Sequence, residues 1–208
     1  VVRLPDSFMP SDRNRPIPGE TPSRDTVGLP ETGFVFCAFN AGYKMRPDVF
    51  GVWMELLRQV DGSLLWLRDE SPESTANLRR TAEQHGIAPG RLIFASRVSM
   101  ELHLARHGQA GLFLDSFPYG AHTTANDALW AGLPMITLVG ETFVSRVGAS
   151  LLQAVSLPEL VTTSIEDYEA LALKLATTPA LLGDIREKLA RQRHTAPLFD
   201  TSRTVRHL

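Results

Sequence analysis

The stretch FPYGAHTTANDALWAGLP, at residues 117–134, decides the fold of this 208-residue chain. Two short apolar runs flank it, at 111–115 and 134–139, and both are typical of buried parallel strands. Between these runs lie a Pro/Gly loop, two threonines and an apolar helix of about three turns that stops at Gly132. The order strand, loop, helix, strand therefore predicts one crossover unit of a parallel sheet.

The start of that helix is a candidate anion site. Thr123 and Thr124 place hydroxyls and unpaired backbone N–H groups where a helix carries roughly half a positive charge. Asp127 follows on the same helical face, about 6 Å further along the axis. This spacing suits a sugar nucleotide, with its diphosphate at the helix tip and its ribose beside the carboxylate. A structural alternative stays open, in which Thr123 caps the helix and Asp127 favours its positive end.

The same alternation of strand and helix continues along the chain. Further strands are predicted at 33–40, 63–67 and 91–95, and a short one at 160–161. Helices are predicted at 47–60, 72–85, 99–107, 145–155, 165–177 and 179–193. At least five such alternations with short links predict an α/β fold with a parallel, doubly wound sheet. The nucleotide-binding loops G-x-G-x-x-G and G-x-x-x-x-G-K-[ST] are absent from the sequence.

Residues 1–33 differ from the rest, since they hold six of the 14 prolines and show no sustained periodicity. We interpret them as a linker or extended arm that adds no strand to the sheet and packs against a lobe outside this chain. Residues 34–208 then form the sheet domain. The chain begins with Val1 rather than Met, and we expect it to be a piece of a longer protein.

Composition narrows the function classes. The chain is 43% hydrophobic and 21% charged with a net charge of −2, so it offers no electrostatic case for binding nucleic acid or an anionic membrane. No apolar run is long enough for a membrane span, and no signal-peptide pattern opens the chain. The single cysteine, Cys37, lies in an apolar run and fits a buried position in a cytoplasmic protein.

Polar residues collect where the predicted strands end, which is where ligands bind in such sheets. They are Asn40 and Lys44 after the first strand, Ser96, Arg97, His103 and Arg106 after the third, and His122 to Asp127 after the fourth. Lys44 is either a solvated loop lysine or a point charge on a phosphate. His103 and Arg106 form either a solvent-facing stripe or a platform for a base. The pair His103 and His107 lacks the glutamate of the H-E-x-x-H zinc motif, so no metal site is expected.

Several motifs together carry a resemblance to a known family. They are FCAFN at 36–40, YK at 43–44, LWL at 65–67, HTT at 122–124, LWAG at 129–132, GET at 140–142, SRV at 145–147 and PLF at 197–199. In order and register they resemble the C-terminal catalytic lobe of protein O-GlcNAc transferases, in a bacterial form. The resemblance implies one of two facing Rossmann-like lobes, the type B glycosyltransferase plan. It also implies UDP-GlcNAc as donor, an inverting transfer to Ser or Thr of a protein or peptide, and tetratricopeptide repeats before the lobes.

The resemblance also implies roles for single residues. His103 would stack on uracil, Arg106 would lie near the edge of the base, and the backbone at Val98 would bond to it. Asp127 would hold the ribose. The diphosphate would be held by Lys44, Thr123 and Thr124, with His122 beside phosphate and sugar and Asn40 in the same donor site. Lys44 would be the catalytic residue, because it offsets charge that builds on the departing UDP. No cofactor and no metal are implied.

Three positions depart from the family pattern. Ala41, Met100 and Tyr119 stand where animal members carry a phosphate-contacting glutamine, a lysine near the ribose and a cysteine near the sugar. Three alternatives therefore stay open: a UDP-hexose transferase that acts on Asn or another acceptor, a nucleotide-sugar-binding module without catalysis, and a UDP-sugar epimerase or hydrolase, which fits the motifs less well. The N-terminal lobe lies outside these residues, and the sequence names no general base.

Overall fold

A six-stranded parallel sheet forms the framework of the computed structural model, which describes residues 4–17 and 19–208. The strand order is β3-β2-β1-β4-β5-β6, and each neighbouring pair is parallel. The strands are β1 (Val35–Ala38), β2 (Leu64–Arg68), β3 (Leu92–Ala95), β4 (Leu112–Leu114), β5 (Met135–Leu138) and β6 (Val161–Thr162). The order reverses between β1 and β4, as in a doubly wound Rossmann-like sheet, so the predicted fold class is confirmed.

Eight α-helices connect and cover the strands in the described residues. They are α1 (Pro47–Gln59), α2 (Pro72–Gln84), α3 (Met100–Arg106), α4 (Thr123–Trp130), α5 (Phe143–Ala154), α6 (Ile165–Thr177), α7 (Pro179–Gln192) and α8 (Thr201–His207). Proline opens α1, α2 and α7, where its missing N–H breaks no helical bond. None of these helices combines the length and apolarity needed to cross a bilayer.

The core lies on both faces of the sheet, as the apolar strand sequences require. Every residue of β1 and β4 is buried, which is typical of parallel strands covered by helices on both sides. Helix α1 buries the stripe that its sequence predicts, from Phe50 through Trp53 and Met54 to Leu57. Tyr168 of α6 is buried beside α1, and its hydroxyl lies 3.5 Å from Nε1 of Trp53.

The arm adds no strand to the sheet within the described residues, as predicted, but its packing goes beyond the prediction. It contacts this lobe itself. The N–H of Ser11 donates to the carbonyl of Leu198 at 2.9 Å, and Nε1 of Trp130 donates to the carbonyl of Arg15 at 3.1 Å. Packing against a lobe outside this chain stays a prediction, whereas these contacts with the lobe itself were not predicted, because long-range contacts leave no periodic pattern in the sequence. Residues 1–3 and 18 of the predicted arm lie outside the described residues.

Candidate functional site

The reversal of strand order places a crevice between the carboxyl ends of β1 and β4, and Asn40 lies in it. The Asn40 side-chain amide donates to Oγ of Ser116 at 3.1 Å, and its carbonyl accepts from the hydroxyl of Thr124 at 2.7 Å. Asn40 is buried and joins the end of β1 to the loop and helix that follow β4. Its two hydrogen bonds fix the walls of the crevice, which is where doubly wound sheets bind their ligands.

A cavity of about 780 Å³ opens beside this crevice, along the carboxyl ends of β1 to β3. Its size falls within the range of about 300–1,000 Å³ that small-molecule and cofactor sites occupy. The lining residues are Phe39, Arg68, Asp69, Glu70, Ser96, Arg97, Val98, Met100, His103, Arg106, Thr124 and Asp127. Five of the predicted site residues thus share one cavity: Val98, His103, Arg106, Thr124 and Asp127.

His103 and Arg106 form a fixed pair on α3. The guanidinium of Arg106 donates to the carbonyl of Ser96 at 2.8 Å and lies 2.8 Å from Nδ1 of His103, which therefore accepts. It also covers the ring of Phe39 at 4.6 Å. Burial and the charges of Arg106 and Arg15 lower the pKa of His103 to about 4. The imidazole is therefore neutral at pH 7, and a neutral ring held in one orientation is suited to stacking.

Asp127 lies in the wall of the same cavity and is almost fully buried. One carboxylate oxygen forms an ion pair with Arg15 of the arm, and the other lies 3.9 Å from Nε2 of His103. Burial raises the pKa of Asp127, whereas the hydrogen bond and charge of Arg15 oppose that rise. The sequence predicts Asp127 as a site residue, but its partner Arg15 stands 112 positions away and was missed.

Lys44 lies at the next position along the crevice, in the short 3₁₀ turn Gly42–Lys44 that follows β1. It is buried rather than solvated, which argues against the solvated-loop alternative. Its ammonium donates to the carbonyl of Gly120 at 2.8 Å and stands 4.1 Å above the ring centre of Tyr119. Burial lowers the pKa of Lys44, and the carboxylate of Asp115 opposes that shift. The turn therefore brings a cation to the loop that leads into α4.

The start of α4 carries no side-chain cap. His122 is the N-cap residue but makes no capping hydrogen bond, and Thr123 is the first residue inside the helix. The structural alternative in which Thr123 caps the helix is therefore wrong. Nε2 of His122 is buried and has no hydrogen-bond partner within the described part of the chain. Uncapped N–H groups, the exposed Thr123 and the ammonium of Lys44 together form a site suited to an anion.

Asp115 holds the loop that leads into α4 through its hydrogen bonds, a role that sequence reasoning missed. One carboxylate oxygen accepts from the N–H of Ala121, and the other accepts from the hydroxyl of Thr137 at 2.6 Å. The hydroxyl of Tyr168 donates to the backbone carbonyl of Asp115 at 2.8 Å. Burial raises the pKa of Asp115 to about 6. An acidic residue at the end of an apolar run was the available signal, because such a residue needs partners when buried.

The two buried histidines of α3 and the turn after it predict a pH dependence of stability. Burial lowers the pKa of His107 to about 3, and that of His103 to about 4. In the unfolded chain these two histidines take up protons as the pH falls through about 6.5, whereas in the folded chain they do not. The free energy of unfolding should therefore fall between pH 7 and pH 5, by about 2 kcal/mol for each histidine. Asp115, with its raised pKa, opposes this trend below pH 6.

Urea unfolding at pH 5 and pH 7 checks this prediction. The variant His107→Asn should flatten the pH dependence, since its amide can keep the bond that Nδ1 of His107 makes to the carbonyl of His103 at 2.7 Å. An equal pH dependence in the parent and His107→Asn would contradict the assignment.

Among the described residues, no group of three or more His, Cys, Asp or Glu side chains lies close enough to hold a metal ion. In the pair His103 and His107, one ring nitrogen of each histidine is engaged by a protein contact. Their rings lie 4.7 Å apart, Nδ1 of His107 bonds to the carbonyl of His103, and Nδ1 of His103 accepts from Arg106.

The predicted site residues therefore fall into two adjoining groups along one edge of the sheet. Val98, His103, Arg106 and Asp127 surround the cavity, while Lys44, His122 and Thr123 gather at the start of α4. Thr124 and Asn40 lie between the groups and bond to each other. A Rossmann-like lobe with polar groups at this edge has the architecture of nucleotide-binding α/β proteins.

Comparison with known proteins identifies the family. The chain belongs to glycosyl transferase family 41, whose model matches residues 15–208. A probable UDP-N-acetylglucosamine–peptide N-acetylglucosaminyltransferase of Arabidopsis thaliana is 36% identical over 214 residues, which cover all of this chain and 22% of that protein. The corresponding enzyme of Caenorhabditis elegans is 35% identical over 178 residues, 86% of this chain and 16% of that protein. The chain thus spans about a fifth of these relatives' own lengths.

Solved structures agree with this placement. A mutant of the O-GlcNAc transferase of Thermobaculum terrenum superposes with a TM-score of 0.86 at 30% identity, covering 98% of this chain and 38% of that one. WaaG, a glycosyltransferase involved in lipopolysaccharide biosynthesis, has a TM-score of 0.67 at 19% identity, covering 97% of this chain and 54% of its own, and shows a shared fold alone.

Proposed function

We propose that this chain is the C-terminal, UDP-sugar-binding lobe of a glycosyltransferase that moves GlcNAc from UDP-GlcNAc to Ser or Thr hydroxyls of proteins with inversion. The observation that carries the proposal is the pairing of buried Lys44 with the uncapped start of α4, next to a cavity of about 780 Å³ at the switch point of the sheet. Residues 34–208 form the lobe, and residues 1–33 form its arm. The names of the family relatives support the donor and the acceptor class.

The cavity is the proposed site of the uridine. The neutral ring of His103 stacks on uracil, Arg106 lies behind it near the edge of the base, and the backbone at Val98 supplies hydrogen bonds to it. The carboxylate of Asp127 accepts from the ribose hydroxyls. The proposed base site discriminates between bases by shape and hydrogen bonding, because a wrong base leaves buried polar groups without partners.

The start of α4 is the proposed site of the diphosphate. Backbone N–H groups at Thr123 and Thr124 and the ammonium of Lys44 bind its oxygens, and Nε2 of His122 lies beside phosphate and sugar. The hydroxyl proton of Thr124 already points to Asn40, so its backbone N–H supplies the contact and Asn40 acts by holding it. Negative charge grows on the leaving UDP as the glycosidic bond breaks. A fixed ammonium and a helix N-terminus stabilise that charge.

A second lobe is the proposed partner at this end of the site. Phe8, Tyr43 and Phe143 are large and exposed, and they border His122 and Tyr119. Grouped aromatic surface of this kind marks an interaction site. The facing lobe of a type B glycosyltransferase would cover it, supply the acceptor site and the general base, and follow the tetratricopeptide repeats of the full-length protein. We further propose that the reaction needs no metal and takes place in the cytoplasm.

Incubation of the full-length protein with a panel of labelled UDP-sugars and a protein acceptor tests the proposal. Transfer from UDP-GlcNAc to Ser or Thr is expected, and transfer of glucose instead would favour the hexose alternative. That alternative retains support because Tyr119 lies beside Lys44, where the sugar joins the diphosphate.

Calorimetry with free nucleotides tests the base assignment separately. UDP should bind about tenfold or more tightly than ADP or GDP, because a base of the wrong shape loses at least one buried hydrogen bond. Equal affinities for the three nucleotides would contradict the assignment of the base site, with His103 and Arg106, to uracil.

A further inference from the structure

Arg15 of the arm reaches across to α4 and holds Asp127. Its guanidinium forms the ion pair with one carboxylate oxygen of Asp127 and also donates to Oγ of Ser11 at 2.7 Å. The contact is partly buried, since the side chain of Arg15 is 21% exposed and that of Asp127 is 5% exposed. An ion pair at this burial has a defined geometry, unlike the many surface pairs that contribute little.

The backbone of the arm is fixed at the same place. Nε1 of Trp130 donates to the carbonyl of Arg15 at 3.1 Å, and the side-chain amide of Asn126 donates to the carbonyl of Met9 at 3.3 Å. Asn126 and Trp130, which precede and follow Asp127 on α4, thus hold the arm at two points along its length. Arg15 is therefore delivered to the carboxylate by a docked segment.

Arg15 acts from behind the cavity rather than from within it. Among the described residues that line the cavity, Asp127 and His103 are present and Arg15 is not. The second oxygen of Asp127 lies toward His103, 3.9 Å from Nε2. That distance is too long for a hydrogen bond, so the oxygen keeps its capacity to accept from a ligand. An arginine that blocked the site would instead line the cavity.

Arg15 also contributes to the charge state of both cavity groups. Its positive charge and hydrogen bond oppose the effect of burial on the pKa of Asp127, which favours the carboxylate. The same charge adds to burial and Arg106 in lowering the pKa of His103, which favours the neutral ring. The groups that face Asp127 are thus Arg15 from the arm and His103 from α3.

We propose that Arg15 is a positioning residue for the donor nucleotide, holding one oxygen of Asp127 so that the other accepts from the ribose hydroxyls. This inference rests on the proposed function, because it takes Asp127 as the ribose contact. If Arg15 has this role, recognition of the ribose depends on the docked arm. The arm lies outside the sheet domain, which carries the other proposed contacts to uridine. Neither the family motifs nor the spacing along α4 assigns a role to Arg15.

Calorimetry on the full-length protein with UDP and with 2′,3′-dideoxy-UDP separates positioning from folding. The variants are Arg15→Met, which keeps the packing of the side chain, and Arg15→Lys, which keeps the charge but loses the planar fork. Arg15→Met should weaken UDP by about tenfold, the scale of one hydrogen bond to a charged group, and leave dideoxy-UDP unchanged. Arg15→Lys should recover part of the UDP affinity.

Two controls make the result specific to Asp127. Arg13→Met alters an exposed arginine of the same arm and should change neither affinity. In the background of Asp127→Asn, Arg15→Met should cause no further loss, because coupled residues act as one unit in a double-mutant cycle.

Each opposite result overturns the inference. An equal loss for both ligands in Arg15→Met would show that the arm only supports folding. Normal UDP affinity in Arg15→Met, with Asp127→Asn impaired, would overturn the inference and leave the proposed function in place. A parent protein that binds neither ligand, or that binds both equally, would overturn the inference together with its basis in the proposed function.

Discussion

Replacement of Lys44 by alanine is expected to lower kcat by about 10²–10³-fold, the scale seen when one preorganised charge-stabilising donor is removed. Lys44 is buried in the turn after β1, and its ammonium is fixed against the carbonyl of Gly120 and the ring of Tyr119. If it binds the diphosphate, its interaction grows as the glycosidic bond breaks and charge collects on UDP. An interaction that is stronger in the transition state than in the ground state raises kcat.

Steady-state kinetics of the full-length protein check this expectation, with His103→Ala as the contrasting variant. The proposed stacking of His103 on uracil is the same in the substrate and the transition state, so His103→Ala should raise the KM for the donor with kcat little changed. Lys174→Ala alters an exposed lysine on α6 and serves as the control for loss of positive charge. A change in KM alone for Lys44→Ala would make Lys44 a simple binding contact and would remove its catalytic role.

The sheet and most of its helices could be predicted from the sequence because their signals are local. The apolar runs at β1, β4 and β5 and the helical spacing from Phe50 to Leu57 each follow from a few neighbouring residues. Helix α8 was missed, since Thr201–His207 is polar and buries none of its residues. The short turn Gly42–Lys44 left no signal in the sequence, because one 3₁₀ turn has no period to detect.

The candidate site was predictable where it follows the strand ends, and not where it depends on distant partners. Asn40 and Lys44 lie in the link that follows β1, His122 is the N-cap residue of α4, and Asp127 lies about one turn into that helix. Their roles remain proposals, but the structure brings them to one edge. Arg15 lies in a proline-rich arm without periodicity, and only the folded chain brings it to Asp127. The carboxylate network of Asp115 was missed for the same reason, as Thr137 and Tyr168 come from other elements.

The hydrogen-bond network of Asp115 connects the core, through α5, to the proposed diphosphate site at the start of α4. Gly148 lets α5 approach the buried carboxylate, since a Cβ there would lie 2.5 Å from Oγ1 of Thr137 and 2.6 Å from Oδ2 of Asp115. Near the start of the same helix, the carbonyl of Val144 accepts from the N–H of Gly120 at 3.2 Å. Gly120 in turn supplies the carbonyl that holds Lys44. The position of α5 therefore affects the position of the Lys44 ammonium, which is the charge proposed to stabilise the leaving UDP.

Gly148→Ala is accordingly expected to lower the free energy of unfolding by about 1–3 kcal/mol, the usual effect of overpacking a close-packed site. Gly183→Ala on α7 is the matched control, because a Cβ there meets nothing within 4 Å. As alanine suits a helix better than glycine, that control should raise the free energy of unfolding by about 0.5–1 kcal/mol. Urea unfolding at pH 7 measures both.

Donor binding distinguishes a local effect from a general one. Because a displaced α5 shifts Gly120 and with it Lys44, Gly148→Ala should also weaken UDP binding, whereas Gly183→Ala should not. Stabilisation by both alanines would mean that α5 moves aside freely and that the Asp115 network does not set its position. Destabilisation by Gly148→Ala with unchanged UDP affinity would confine the role of this network to the core and separate it from the diphosphate end.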